Sequence, residues 1–329
     1  MPVDLWTLCD HTTPWCIHVA STLRIAEQIA AGNAEIAGIA AAANCDADAL
    51  HRVLRYLVGK GVFLEPTPGT FALNETAKQF LDPSSRLGLD LNGIGGRMAY
   101  AWSTLPSYVR TGAPAYHERF GLPFWEDLAA HPEVGASFDA LIGPSGHGIP
   151  NSDFEITGGW DQVQAVVDVG GGTGAMLAEI LRARPSVRGI LVDLPSTVVR
   201  AAGTFQTAGV ADRVTVSGQS FFDPLPAGAD LYLLRGILND WPDREATAIL
   251  TRCAEAAGAR GRVVVLKSVG PEVAPKNLSI ETVLLGGKHR GVAEFQQLAG
   301  AAGLAVVAAG RQASGYFVVE CRLAKNPAL

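Results

Sequence analysis

The sequence predicts an α/β fold in which a mostly parallel, doubly wound sheet follows an all-helical region. Three observations carry that expectation. After Trp160, short aliphatic runs alternate with helical segments. Before about residue 155, alanine-rich amphipathic patterns follow one another with no long strand among them. The chain also has 329 residues, more than one hydrophobic core ordinarily spans. Two domains are therefore expected, residues 1–155 and 156–329.

In the first, Asp46 is placed to cap a helix carrying Leu50, Val53, Leu54, Leu57 and Val58 at helical spacing, which Gly59 and Gly61 end. Val62-Phe63-Leu64 and Thr70-Phe71-Ala72-Leu73 then flank the turn Pro66-Thr67-Pro68-Gly69 as a short hairpin. Helices followed by a two-stranded wing form a winged-helix pattern, which often reads DNA. Here the acids Asp46, Asp48, Glu65 and Glu75 outnumber Arg52, Arg55 and Lys60, so a structural or dimerising role is expected instead.

In the second, Ala165 to Val169 reads as a strand and Ala175 to Ala183 as a helix. Further strands are expected at Gly189 to Asp193, Val214 to Val216, Leu231 to Leu234, Arg262 to Leu266 and Tyr316 to Glu320. Continuous apolar runs of this kind belong to parallel strands buried on both faces, with ligands at their carboxyl ends.

Composition narrows the function. The net charge of −6 lacks the basic excess that phosphate binding needs, so nucleic acid is not expected as a partner. Hydrophobic residues make up 48% and charged residues 18%, which leaves apolar surface for a subunit interface. The five cysteines, Cys9, Cys16, Cys45, Cys253 and Cys321, form no C-x-x-C pair and are expected to be reduced and buried. The start has no basic region before an apolar stretch, and no run of about 18 apolar residues occurs, so a soluble cytoplasmic protein with no membrane partner is expected. No His/Asp/Glu cluster has metal-ligand spacing, so no metal is expected.

The strongest local signal is Val167-Asp168-Val169-Gly170-Gly171-Gly172-Thr173-Gly174, a glycine-rich turn between strand and helix, with Asp193 ending the next strand. Glycines allow close backbone approach, and an acid at the next strand end can accept both hydroxyls of a ribose, so the implied ligand is a nucleoside. A dinucleotide loop would carry a third glycine where this chain has Ala175-Met176. The acid-Gly-x-Gly-x-Gly form instead resembles S-adenosylmethionine-dependent methyltransferases of the Rossmann-like class I type.

Further along stand Ser217-Gly218-Gln219-Ser220-Phe221-Phe222-Asp223-Pro224, Leu234-Arg235-Gly236-Ile237-Leu238-Asn239-Asp240-Trp241 and Gly286-Gly287-Lys288-His289-Arg290. With Asp193-Leu194-Pro195, Thr111-Gly112 and Phe124-Trp125, they resemble the caffeate and hydroxyindole O-methyltransferase family and its polyketide-tailoring relatives, over nearly the whole chain. That resemblance implies an S-adenosylmethionine site. It assigns Gly170 and Gly172 to the methionine end and Asp193 with Leu194 to the ribose, with Asp168 also in contact with the cofactor. Gln219, Ser220, Phe221 and Trp241 fall around the adenine, and Arg235 at the same site. It also implies a homodimer formed through the first 90 or so residues.

The O-methylating members carry His-Asp-Trp after the fourth strand, the histidine being the base. This chain has Asn239-Asp240-Trp241, and an amide cannot serve as a base near neutral pH. Where the family has a helper acid, this chain has His289. Either His289 is the base, with Asn239 holding its ring or the substrate and Glu281 orienting it, or the dyad is gone. By resemblance Trp102, Trp125, Phe138, Leu141 and Ile142 roof an apolar acceptor pocket, and His147 can point into it. The reading is methyl transfer to a small aromatic or polyketide-like acceptor, mainly by proximity. Its rivals are a non-methylating reaction aided by the sulfonium charge, favoured by the loss of histidine at 239, and a cofactor-sensing winged-helix regulator.

Overall fold

The computed structural model describes residues 4–142, 150–271 and 278–324. The chain forms two compact units, one of residues 1–100 with 133–141, the other of 101–132 with 142–329.

In the first unit Asp46 caps the helix Ala47–Gly59 by accepting from the Ala49 N–H, and Leu50, Leu54 and Leu57 are its buried face. The helix runs through Gly59 and ends with Lys60 as cap and Gly61 in the left-handed region, φ 75°. Strands β1 (Phe63–Thr67) and β2 (Thr70–Leu73) pair antiparallel as the expected wing. Glu65, one of the acids that argued against DNA, accepts from the Gly69 N–H at 2.9 Å and lies 3.3 Å from His51 Nε2. Its charge therefore holds the wing turn. Phe63, Phe71, Phe80, Ile25 and Ile39 complete this unit's core.

The second unit is a seven-stranded sheet. Five strands are parallel: β3 (Ala165–Val169), β4 (Arg188–Asp193), β5 (Val214–Gly218), β6 (Leu231–Arg235) and β7 (Arg262–Leu266). Short strands β8 (Val269–Gly270) and β9 (Arg290–Gly291) pair separately. Strand β10 (Leu304–Arg311) and strand β11 (Phe317–Leu323) finish the sheet, whose order is β10-β11-β7-β6-β3-β4-β5. β11 pairs antiparallel with both β7 and β10.

β6 and β7 bury every residue but Arg235, which is why their sequences read as unbroken apolar runs. Alternate side chains feed two cores. Val167, Val169, Tyr232, Leu234, Val263 and Val265 pack with the helix Asp243–Ala257, while Val166, Leu231, Leu233, Val264 and Leu266 pack with the helix Ala175–Ala183. Where β7 meets β11, Arg262 Nη1 donates to the Thr157 carbonyl and lies 3.3 Å from Glu320 Oε1, both side chains buried.

Two expectations need correction. β10 was not anticipated, because only Leu304 is buried and only Val306 and Gly310 gain partial cover, so the strand is held by pairing with β11 rather than by burial. Among the cysteines, Cys253 and Cys321 are buried but Cys9 is exposed. Among the described residues no helix is long and apolar enough to cross a membrane.

Candidate functional site

The carboxyl ends of β3, β4 and β6 converge on the glycine turn. Gly170 and Gly171 donate to the Val192 carbonyl at 2.8 and 3.3 Å, which ties the turn to β4. Gly170, Gly172 and Gly174 all take φ between 61° and 82°, a region that a side chain disfavours. A methyl group at Gly170 would stand 2.6 Å from Ile237 Cδ1, and one at Gly174 would stand 2.3 Å from the Phe205 ring. At Gly172 nothing lies within 4 Å. Two of the three glycines are thus required by packing and the third faces open space.

Asp193 clamps this turn. Its Oδ2 accepts from the Gly172 N–H at 2.8 Å and its Oδ1 from the Leu194 N–H at 2.7 Å. Burial pushes its carboxyl up, against those two hydrogen bonds and one from Thr197. With three donors engaged, about one of the carboxylate's four lone-pair positions remains for a further donor. Asp168 is fully buried beneath the turn, and its Oδ2 has no hydrogen-bond partner among the described residues. Burial pushes the Asp168 carboxyl up to about 7; the Arg235 charge opposes this and the Asp193 charge adds to it.

Phe221, Phe222 and Trp241 form a group of edge-to-face rings, with centroids 5.0 to 5.8 Å apart. They lie partly buried against the sheet core, and the Phe221 ring is 3.5 Å from where a Gly170 side chain would stand. Gln219 spends its amide on its own loop: Oε1 accepts from Ser217 Oγ and Nε2 donates to the Pro224 carbonyl. Ser220 Oγ likewise accepts from the Phe222 N–H.

After β6 a single turn, Leu238–Asp240, carries Asn239. Asn239 Nδ2 donates to Asp240 Oδ1 at 2.9 Å, and Asn239 Oδ1 accepts from the buried Ser268 Oγ at 2.9 Å. Ser268 follows Lys267, which takes φ 62° where β7 ends. The turn is fixed from below by Arg290. This guanidinium is buried, donates to the carbonyls of Leu238 and Trp241, and pairs with Asp243 at 2.9 Å. Gly287 lies so close that a side chain there would meet the Asn239 carbonyl oxygen at 2.1 Å. Burial pushes the Asp240 carboxyl up to about 8, with a contribution from the charge of Glu281.

The site residues expected from the sequence thus divide. Asp168, Gly170, Gly172, Asp193, Leu194, Phe221, Arg235, Trp241 and Asn239 gather at the strand ends, while the side chains of Gln219 and Ser220 turn to their own loop. Glu281 lies on the helix Ile280–Leu285, which packs against the turn Leu238–Asp240 and the segments Tyr116–Phe120 and Trp102–Thr104. His289 is exposed, one residue before the inward-turned Arg290. Of the acceptor residues, Trp102, Trp125 and Ile142 belong to the second unit, and Phe138 and Leu141 to the first. Trp125 packs edge-to-face on Phe124 at 5.0 Å, and Leu141 borders Gly88. His147 lies outside the described residues. Sequence reasoning missed Ser268, Asp240 and Arg290. The signal for Arg290 was the adjacent Gly286-Gly287 pair, which announces close backbone approach.

Comparison with known proteins agrees with this arrangement. A family model described as the O-methyltransferase domain matches residues 102–305, and one described as the O-methyltransferase dimerisation domain matches residues 6–83. A 2,7-dihydroxy-5-methyl-1-naphthoate 7-O-methyltransferase of Streptomyces carzinostaticus is 42% identical over 317 residues, covering 93% of this chain and 94% of that protein. The aclacinomycin 10-hydroxylase RdmB of Streptomyces purpurascens is 37% identical over 321 residues, covering 93% of this chain and 85% of that protein. Among solved structures, the O-methyltransferase NcsB1 from neocarzinostatin biosynthesis, in complex with S-adenosylmethionine and 2-hydroxy-5-methyl naphthoic acid, is 40% identical. Its TM-score is 0.87 over 98% of this chain and 99% of that one.

Proposed function

We propose, because this chain belongs to the O-methyltransferase family, that it methylates a hydroxyl of a small polycyclic aromatic or polyketide-like metabolite of antibiotic biosynthesis. It is an S-adenosylmethionine-dependent methyltransferase with an N-terminal dimerisation domain. The observation that carries the proposal is the glycine turn itself. Asp193 is bonded to its backbone, the face of Gly172 is clear, and the buried Asp168 Oδ2 is left without a partner among the described residues. These features fit a ligand with a ribose and an α-ammonium group.

Asp168, Gly170 and Gly172 would hold the methionine end, Asp193 and Leu194 the ribose, and Phe221, Trp241 and Ser220 the adenine, with Arg235 balancing the charge of Asp168. Gln219 would act by shaping the loop that carries Phe221. When bound, the cofactor supplies an electrophilic methyl on sulfur. The chain supplies alignment: Asn239, fixed at both ends, positions the attacking atom, and most of the acceleration comes from proximity. Of the expected acceptor residues, Trp102, Trp125 and Ile142 would supply apolar contact for the acceptor. We also propose that the molecule works as a homodimer through its first domain, and in the cytoplasm, where free cysteines such as its five persist.

A second reading keeps the fold and cofactor but transfers no methyl group. Asn239 and the similarity to a hydroxylase favour it. The test is incubation with methyl-labelled S-adenosylmethionine and a panel of hydroxynaphthoates and polyketide-like phenols, followed by mass. Label on an acceptor supports methyl transfer, and a selective loss in His289→Ala would give that residue the role of base. An acceptor altered in mass without label would move the assignment to the second reading.

A further inference from the structure

We propose that Asp240 takes the proton of the acceptor hydroxyl, held for that task by the hydrogen-bonded series Ser268–Asn239–Asp240 and accompanied by Glu281. This rests on the methyl-transfer reading above. Asn239 itself has no basic atom, but its amide is fixed by Ser268 Oγ at one end and donates to Asp240 Oδ1 at the other, each at 2.9 Å. Asn239 is thus a positioning residue. It occupies one lone pair of the carboxylate and leaves the other oxygen to meet a substrate hydroxyl.

The stretch that carries Asp240 adjoins the cofactor turn at both ends. Ile237 lies against Gly170, and Trp241 packs on Phe221, which borders the same glycine. From the other side comes the helix Ile280–Leu285 with Glu281, and that helix also packs against Trp102–Thr104, one of the expected acceptor segments. The other charges around the turn are paired: Arg290 and Lys288 both pair with Asp243, at 2.9 and 3.0 Å, and Lys288 also with Glu294 at 3.6 Å. Glu281 is therefore the charge that acts on Asp240, and together with burial it makes Asp240 a stronger base than an exposed carboxylate, closer in basicity to a phenolate. In the reaction the proton passes from the acceptor oxygen to the Asp240 carboxylate. The freed oxygen pair forms the bond to the methyl carbon, and the electrons of the broken carbon–sulfur bond stay on sulfur.

The experiment compares wild type, Asp240→Asn and Glu281→Gln at pH 8.5, where Asp240 is mostly ionised, on two sets of acceptors: hydroxynaphthoates whose phenol is still neutral there, and nitro-substituted naphthols already ionised there. For Asp240→Asn the expected result is a loss of about 10²-fold in kcat on the neutral set and less than about tenfold on the ionised set. Glu281→Gln should lose about tenfold on the neutral set alone, through the weaker base it leaves. The ratio between sets within one variant does not depend on how much of that variant is folded. Equal losses on both sets, or none, would overturn the proposal. A wild type that labels no acceptor in either set would overturn the methyl-transfer reading itself, and this proposal with it.

Discussion

Replacing Asp168 by Asn should change how stability depends on pH, by an amount that follows from the burial of this one carboxyl. Its folded value is about 7, against 3.8 for an ordinary aspartate. The difference is about 3 units, and at about 1.4 kcal/mol per unit it amounts to roughly 4 kcal/mol. Between those two values the folded chain holds a proton that the unfolded chain has released, so stability is greatest below 3.8 and falls as pH rises towards 7. Above 7 the loss is complete. Asn keeps an acceptor for the Leu177 N–H that Asp168 engages but cannot titrate. Urea unfolding of both ligand-free proteins at pH 5, 6, 7 and 8 should show the wild type losing about 1.4 kcal/mol per unit relative to the variant up to 7, and little beyond. Binding of S-adenosylmethionine should then release close to one proton near pH 6.5 in the wild type and none in Asp168→Asn, read by calorimetry in buffers of different ionisation heat. A stability difference that stays constant across that range would refute the argument that burial sets the state of Asp168.

Other substitutions separate packing from binding. Gly172→Ala should cost about 1 kcal/mol in stability for its left-handed backbone, yet weaken S-adenosylmethionine by more than tenfold, because the added methyl occupies the clear face of the turn; unchanged affinity by calorimetry would count against that face as the ligand's. Arg290→Met should cost on the order of 3 kcal/mol in thermal or urea unfolding, since it strips the Leu238 and Trp241 carbonyls of a charged donor. Gln219→Ala should lower stability by about 1 kcal/mol while leaving cofactor affinity within a few-fold, because the amide serves the Ser217 to Pro224 loop; a larger loss of affinity would restore it to the adenine.

Much of the sheet was legible because its strands are buried on both faces, so Val263-Val264-Val265-Leu266 can be little else. The glycine turn was legible for a related reason: three positive φ angles within five residues leave glycine as the cheapest solution at each. β10 was not, since Ala308 and Ala309 are exposed and the strand owes its existence to β11. The Asn239 side chain was read as a missing base. Its role as a fixed link between Ser268 and Asp240 depends on Ser268, 29 positions away, and no local pattern announces such a pair. Arg290 escaped for the opposite reason: three of its partners are carbonyls, which every residue possesses.

The order of the sheet also bears on how the chain assembles. β11 lies between β7 and β10, although it follows both in sequence. While only the chain up to residue 311 has emerged, β10 has no strand to pair with and β7 has a bare edge beside the finished parallel strands. Arg262, at the start of β7, then lacks Glu320 as its counter-ion. The late strand works as a keystone: the open flank of β7 is sealed, and β10 gains its partner, only when residues 317–323 slot in.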